Sequence, residues 1–232
     1  MLVERPIMTE QIRSEVMNLL GADTSGHSID HVDRVHRMSL EFADQEDVDS
    51  TVISLIALLH DVDDYKLFGR ESADNLTNAK RILSENHVDQ KIASHALQSI
   101  AMMGYNNYLD GIRPDTLEGQ IVSDADMCDA IGAQGLIRVF EYNASKSRPF
   151  FDKTILPVGA DLTAEEYRTA GNGHAAQHFF DKLLNIPDIL MTSAGKTEGQ
   201  KRSEIMIDFL SEMFREEDAA DWQKYLDDFL KK

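Results

Sequence analysis

The sequence predicts an all-α protein, and three observations point that way. Apolar residues recur at intervals of three and four along most of the chain, the spacing that lines one face of a helix. No long stretch alternates with the period of two that a half-buried strand requires. Two of the five prolines fall in one tract, residues 143–163, which reads as a loop between helical stretches rather than as a helix of its own.

The elements follow in order. Ile12, Val16, Leu19 and Leu20 give a helix over Thr9–Leu20. After the break GADTSG, Ser28 is placed to cap a helix over Ile29–Phe42, with Val32, Val35, Met38 and Phe42 in period. Asp49 or Ser50 caps the next helix, which ends near His60. Further helices are expected over Ala73–Glu85, Val88–Met102, Asp115–Asp129 and Ala133–Tyr142. Helical pattern returns at Ala164–Arg168, Ala175–Leu184 and Glu198–Phe214, before a polar last segment. With no internal repeat or low-complexity linker, the economical reading is a single helical domain. Its core spans about 25–142, a loop or lid covers 143–163, and C-terminal helices fill 164–230.

Composition narrows the function. At 232 residues, 42% apolar and 28% charged, the chain can bury a sizeable core and has an ordinary globular balance. Its 41 acidic residues outnumber 23 basic ones, for a formal charge of −18. That balance argues against a nucleic-acid polymer, whose phosphates call for Lys and Arg, and against an anionic membrane surface. A small anionic substrate needs a cation or a few focused basic side chains to reverse the local potential. The longest apolar run, Val52–Leu59, is too short to span a bilayer. The N-terminus lacks a secretory pattern, and the one cysteine, Cys128, fits a reducing compartment. A cytoplasmic protein is expected.

Three stretches concentrate groups that could hold a metal, for which imidazole and carboxylate are the usual ligands. HSIDHVDRVH places His27 and His31 four residues apart. LLHDVDDYK puts His60 and Asp61 at the end of an apolar helix, followed by Asp63, Asp64 and Lys66. SDADMCDAIGA sets Asp124, Asp126 and Asp129 into a pattern that is otherwise apolar or small. Each has a bland alternative: a histidine pair on a surface, a chance dipeptide, a solvated acidic face. Together they lie on three helices apolar enough to be buried, where unpaired ionic groups are expensive.

This ordered array, HxxRV then LLHDxxDYK then DADxxDAIGA, resembles the HD superfamily of metal-dependent phosphohydrolases, and within it the small bacterial nucleotide-hydrolysing branch. GLIRVF (135–140) and the later Gln177-His178-Phe179 with Lys182-Leu183-Leu184 extend the likeness over about residues 25–215. The resemblance implies a compact helical HD-domain fold and one divalent ion, Mn²⁺ or Mg²⁺. Its ligands would be His31, His60, Asp61 and Asp126. Asp124 is the alternative fourth ligand, but the two aspartates lie ~200° apart around a helix and would not both face one ion. Asp64 would position or deprotonate the attacking water, or else hold a ligand histidine in place.

Arg34 and Lys66 could bind phosphate oxygens, although Arg34 could equally pair with a neighbouring aspartate. His27 could contact substrate or cap its helix. His178 and Lys182 could contact substrate or merely anchor the C-terminal helices. His36, His87, His95 and His174 read as ordinary surface or core histidines, and Asp63 as solvated. Two departures stand out. His87 and His95 are too close together to supply the second metal of two-metal members, and Met127-Cys128 replaces the usual basic residue and leucine.

The expected activity is metal-dependent hydrolysis of a nucleotide or another small phosphate ester or anhydride. The competing readings are an HD-type di-iron oxygenase, a non-catalytic metal-stabilised nucleotide sensor, and a helical protein whose polar cluster is only structural. The expected partner is a small phosphorylated substrate, with a homodimer compatible.

Overall fold

Every regular element in the computed structural model is helical, and no strand occurs among the described residues, which are 4–21, 28–155, 157 and 174–231. The helices gather into two compact units, Met1–Asp126 and Met127–Lys232.

The first unit is built around one greasy helix. α1 (Glu4–Leu20) and α2 (Ile29–Phe42) precede α3 (Ser50–Leu59), which packs against both and against the later α6 (Gln90–Met102). The sequence of α3, STVISLIALL, is apolar nearly all round, and Thr51 through Leu59 are all buried. Such a helix is stable only with neighbours on every side. α1 contributes Ile12, Val16 and Leu20, and α2 contributes Val32, Val35 and Met38. The Asp49 side chain caps α3 by accepting from the Thr51 amide at 2.8 Å. Ser28 occupies the cap position of α2 with extended backbone, but its side chain makes no capping bond; its carbonyl accepts from the His31 and Val32 amides instead.

Beyond α3 the chain departs from expectation. α4 (Tyr65–Asn75) occupies a stretch with no expected helix, and the helix expected at Ala73–Glu85 begins only at Thr77, as α5 (Thr77–Glu85). Two backbone features account for this. Gly69 adopts φ 82° inside α4 and kinks it, while Leu76, at φ 50°, breaks the chain between α4 and α5. No residue of α4 is buried, so it carries no apolar period to read. The short α7 (Tyr105–Leu109) precedes α8 (Leu117–Asp129).

In the second unit α9 (Gly132–Ser145) runs three residues past its expected end. From 146 to 155, and at 157, the chain is neither helix nor strand. The rest of the expected loop or lid and the expected helix at Ala164–Arg168 lie outside the described residues. α10 (Ala175–Asp181) passes through a 3-10 turn (Leu183–Asn185) into α11 (Ile186–Ile189). α12 (Ser193–Glu216) is longer than expected, capped by Thr192 Oγ1 accepting from the Gly195 amide at 3.0 Å. The polar last segment is itself a helix, α13 (Ala220–Phe229), held by Trp222 and Leu226. Trp222 packs with Phe180 and Phe214 in the aromatic centre of this unit, and its indole donates to the Ile155 carbonyl at 2.9 Å.

Candidate metal centre

Three helix segments of the first unit converge on one point. His31 lies in the first turn of α2, whose apolar stripe faces α3, so its imidazole is buried with the stripe. His60 and Asp61 follow the last residue of α3. The helical bonding ends there, and a tight turn, with the Asp64 amide donating to the Asp61 carbonyl at 3.1 Å, leads into α4. Asp126 comes from the last turn of α8.

His31 Nε2 lies 3.2 Å from His60 Nε2. It is 3.4 Å from both Asp61 Oδ2 and Asp126 Oδ1. His60 Nε2 is 3.5 Å from Asp61 Oδ2 and 3.8 Å from Asp126 Oδ1. His31, His60 and Asp126 each offer a ligand atom within 4.8 Å of the others.

The protonation pattern explains what such a cluster wants. His60 Nδ1 meets the Ala57 carbonyl at 2.8 Å, and a carbonyl can only accept, so Nδ1 carries the proton. In the neutral ring Nε2 then presents a lone pair. The His60 lone pair and the carboxylate oxygens of Asp61 and Asp126 thus face one point, with His31 Nε2 beside them. A divalent ion would bring all four together as ligands. Donors about 2.1 Å from an ion are about 3.0 Å apart at right angles and about 3.4 Å apart at the tetrahedral angle, close to the spacings found. Burial pushes the Asp126 carboxyl up, but the hydrogen bond from His31 and the charges of His60 and His31 outweigh it, against Asp61, and hold it below 3.8.

Asp124 is almost fully buried, while Asp126 is the aspartate whose Oδ1 reaches both imidazoles. Asp64 Oδ1 accepts from the Lys66 amide at 2.9 Å, capping α4. Lys66 itself is exposed, its ammonium 5.7 Å from the Tyr65 ring centre. Arg34 is half-buried three residues beyond His31. The aspartate beside it, Asp33, is engaged by both Nε and Nη2 of Arg13, at 2.7 and 2.5 Å. His27 lies outside the described residues. His178 and Lys182 belong to the second unit, where burial first and the Lys182 charge second push the His178 imidazole down to about 3.

Asp63 corrects the sequence reading. It is buried, not solvated, and its carboxylate accepts from the Ser72 hydroxyl and from the Asn78 and Ala79 amides, the latter two at 2.9 Å each. Those amides open α5, so Asp63 joins the turn that carries the His-Asp pair to the start of a helix fourteen residues later. The Asn78 side chain reinforces the joint by donating to the Val62 carbonyl at 2.8 Å. No local signal marked this role, because the donors arrive from a distant stretch.

A helical scaffold that gathers a histidine, a His-Asp pair and a further aspartate at one point defines a metal-binding protein of the His-Asp type. Residues 28–131 match the HD domain family. An HD-superfamily hydrolase of known structure from Bacillus thuringiensis is 31% identical, with 93% of this chain and 99% of that one covered and a TM-score of 0.72. A Lactobacillus plantarum protein of known structure is 29% identical over 93% of this chain and 98% of its own, with a TM-score of 0.77. YpgQ of Bacillus subtilis is 28% identical over 213 residues, 88% of this chain and 91% of that protein. The chain belongs to the HD superfamily.

Proposed function

We propose that the protein hydrolyses a phosphoester or phosphoanhydride bond in a nucleotide or similar small phosphate compound, in a cytoplasmic setting. The observation that carries this reading is the convergence of His31, His60 and Asp126 within 4.8 Å of one another, with Asp61 beside both imidazoles. One divalent ion, Mn²⁺ or Mg²⁺, would be held by these four residues. When bound, it supplies a nucleophilic water at neutral pH and neutralises charge building on the phosphoryl oxygens.

The remaining roles fall to side chains nearby. Asp64, tied through its amide to the Asp61 carbonyl, orients the attacking water and takes its proton. The water oxygen forms the new bond to phosphorus, and the leaving oxygen departs with its electron pair. Arg34 and Lys66 supply positive charge for the substrate phosphates, which an acidic protein requires locally. The assignment of His27, His178 and Lys182 to substrate rests on the family resemblance. A nucleotide as substrate class is supported by YpgQ, for which a crystal structure in complex with ADP exists.

Release of phosphate or pyrophosphate from a nucleotide panel with Mn²⁺, Mg²⁺ or Co²⁺ tests the proposal. Turnover that disappears with chelator and in His60→Ala is the expected result. Two irons per chain would replace it with the oxygenase reading. Nucleotide binding that raises thermal stability without any turnover would replace it with a sensor.

A further inference from the structure

We infer that Arg202 is a positioning residue for Asp126, acting as a latch on the end of α8; this rests on the proposed metal centre and concerns how that centre is kept in register. The last carbonyls of a helix have no partners within it. In α8 the Cys128 carbonyl is satisfied twice. It accepts from the Ile131 amide at 3.2 Å and from Arg202 Nη1 at 2.8 Å. A guanidinium at this terminus also complements the negative end of the helix dipole.

Arg202 is itself pinned. Its Nε donates to Glu198 Oε1 at 2.7 Å, one turn earlier on α12. Its aliphatic stem crosses Gly132 so closely that a Cβ there would lie 3.0 Å from Arg202 Cβ and Cγ. Gly132 also has φ 76°, so both conformation and contact favour glycine. A second cation meets the same helix end: Arg138 Nη1 lies 3.3 Å from Oδ2 of Asp129, whose side chain has no exposed surface. Two guanidiniums thus hold Cys128 and Asp129, while Asp126 lies two and three residues back on the same helix. Helix hydrogen bonds transmit any fraying or rotation of this last turn to Asp126.

The latch therefore sets metal affinity without touching the ion. Groups that orient metal ligands are typically worth about 10- to 100-fold in affinity. The test compares Arg202→Met, which keeps the stem and removes the donors, with Arg202→Lys and Glu198→Gln. Three readouts are amide hydrogen exchange over residues 126–131, Mn²⁺ affinity, and circular dichroism to establish folding. In Arg202→Met, exchange at the end of α8 accelerates about tenfold or more, and Mn²⁺ affinity falls about 10- to 100-fold. Arg202→Lys recovers part of both, and Glu198→Gln shifts both in the same direction by less.

A folded Arg202→Met with parental exchange and affinity overturns the latch. Should that variant fail to fold, unchanged exchange and affinity in Glu198→Gln overturns it equally. Parent protein that binds no divalent cation overturns the proposed function, and the exchange measurement then judges the latch alone.

Discussion

His31 Nε2 and His60 Nε2 face each other at 3.2 Å with two carboxylate oxygens beside them. Two imidazole nitrogens and two carboxylate oxygens this close together form a set that a positive charge among them would favour. Binding a divalent ion therefore stabilises the folded state as well as equipping it. At a hundred times its dissociation constant, Mn²⁺ adds about 2.7 kcal/mol, or roughly 5–11 °C in Tm for a chain of this size. His60→Ala and Asp61→Ala should abolish that rise together with bound metal and turnover. A thermal melt with and without Mn²⁺ checks this, and a full metal complement in either variant would remove the ligand assignment.

The proposed base, Asp64, allows metal binding and chemistry to be tested apart. Asp64→Asn keeps an acceptor for the Lys66 amide and so preserves the cap on α4. It should leave metal content at the parental level while lowering kcat by about 10²- to 10⁴-fold, the usual range for a general base. Metal analysis alongside steady-state kinetics distinguishes the two effects. Parental kcat would return Asp64 to a capping role only.

Asp63 makes an opposite pairing of outcomes. Removing its carboxylate leaves the buried Ala79 amide and the part-buried Asn78 amide and Ser72 hydroxyl without their acceptor, at about 1–3 kcal/mol for a fully buried group and less for the others. Asp63→Ala should accordingly lower stability by several kcal/mol in urea unfolding, whereas Asp63→Asn should cost less. A loss below about 1 kcal/mol for the alanine variant would contradict the structural role.

Three histidines give the protein a built-in sensitivity to acid. His36, His174 and His178 are all held below their ordinary value of 6.5, His178 at about 3. Burial is the leading cause in each, helped at His178 by Lys182 and opposed at His174 by Asp152. His174 packs against Phe151 and Trp222, and among the described residues neither of its ring nitrogens has a hydrogen-bond partner. Because the folded pKa values are lowered, the unfolded chain binds these protons first. The stability they contribute is complete above about pH 6.5 and is lost as pH falls, for His178 down to about pH 3, by up to about 1.4 kcal/mol per pH unit for each group. His178→Gln should flatten the decline of Tm between pH 6 and 4. An unchanged slope would exclude His178 as a contributor.

What the sequence showed depended on whether the determining interactions were local. α2 follows directly from the spacing of Val32, Val35 and Met38, and its bounds agree with those expected. α3 is equally plain, since a helix buried on all sides must be apolar on all sides. α4 was missed because none of its residues is buried and apolar periodicity is a record of burial. The motif residues His31, His60, Asp61 and Asp126 could be listed from their order, yet their spacing in Å comes only from folding. Asp63 shows the limit most sharply. Its neighbours in sequence are ionic and suggest a wet corner, while its true partners stand nine to sixteen positions away.

The contrast between α3 and α4 bears on how this protein can change over generations. α3 carries His60 from a helix in which nine consecutive residues are buried, so almost any substitution there is felt by the whole core. α4 starts within four residues of Asp61 and has no buried residue at all, with a glycine hinge in its middle. Apart from Lys66, proposed for the substrate, and Ser72, which donates to Asp63, selection can therefore vary α4 with less consequence for the core than α3. On the proposed function, drift toward a new substrate should be recorded in Tyr65 to Asn75 rather than in α3.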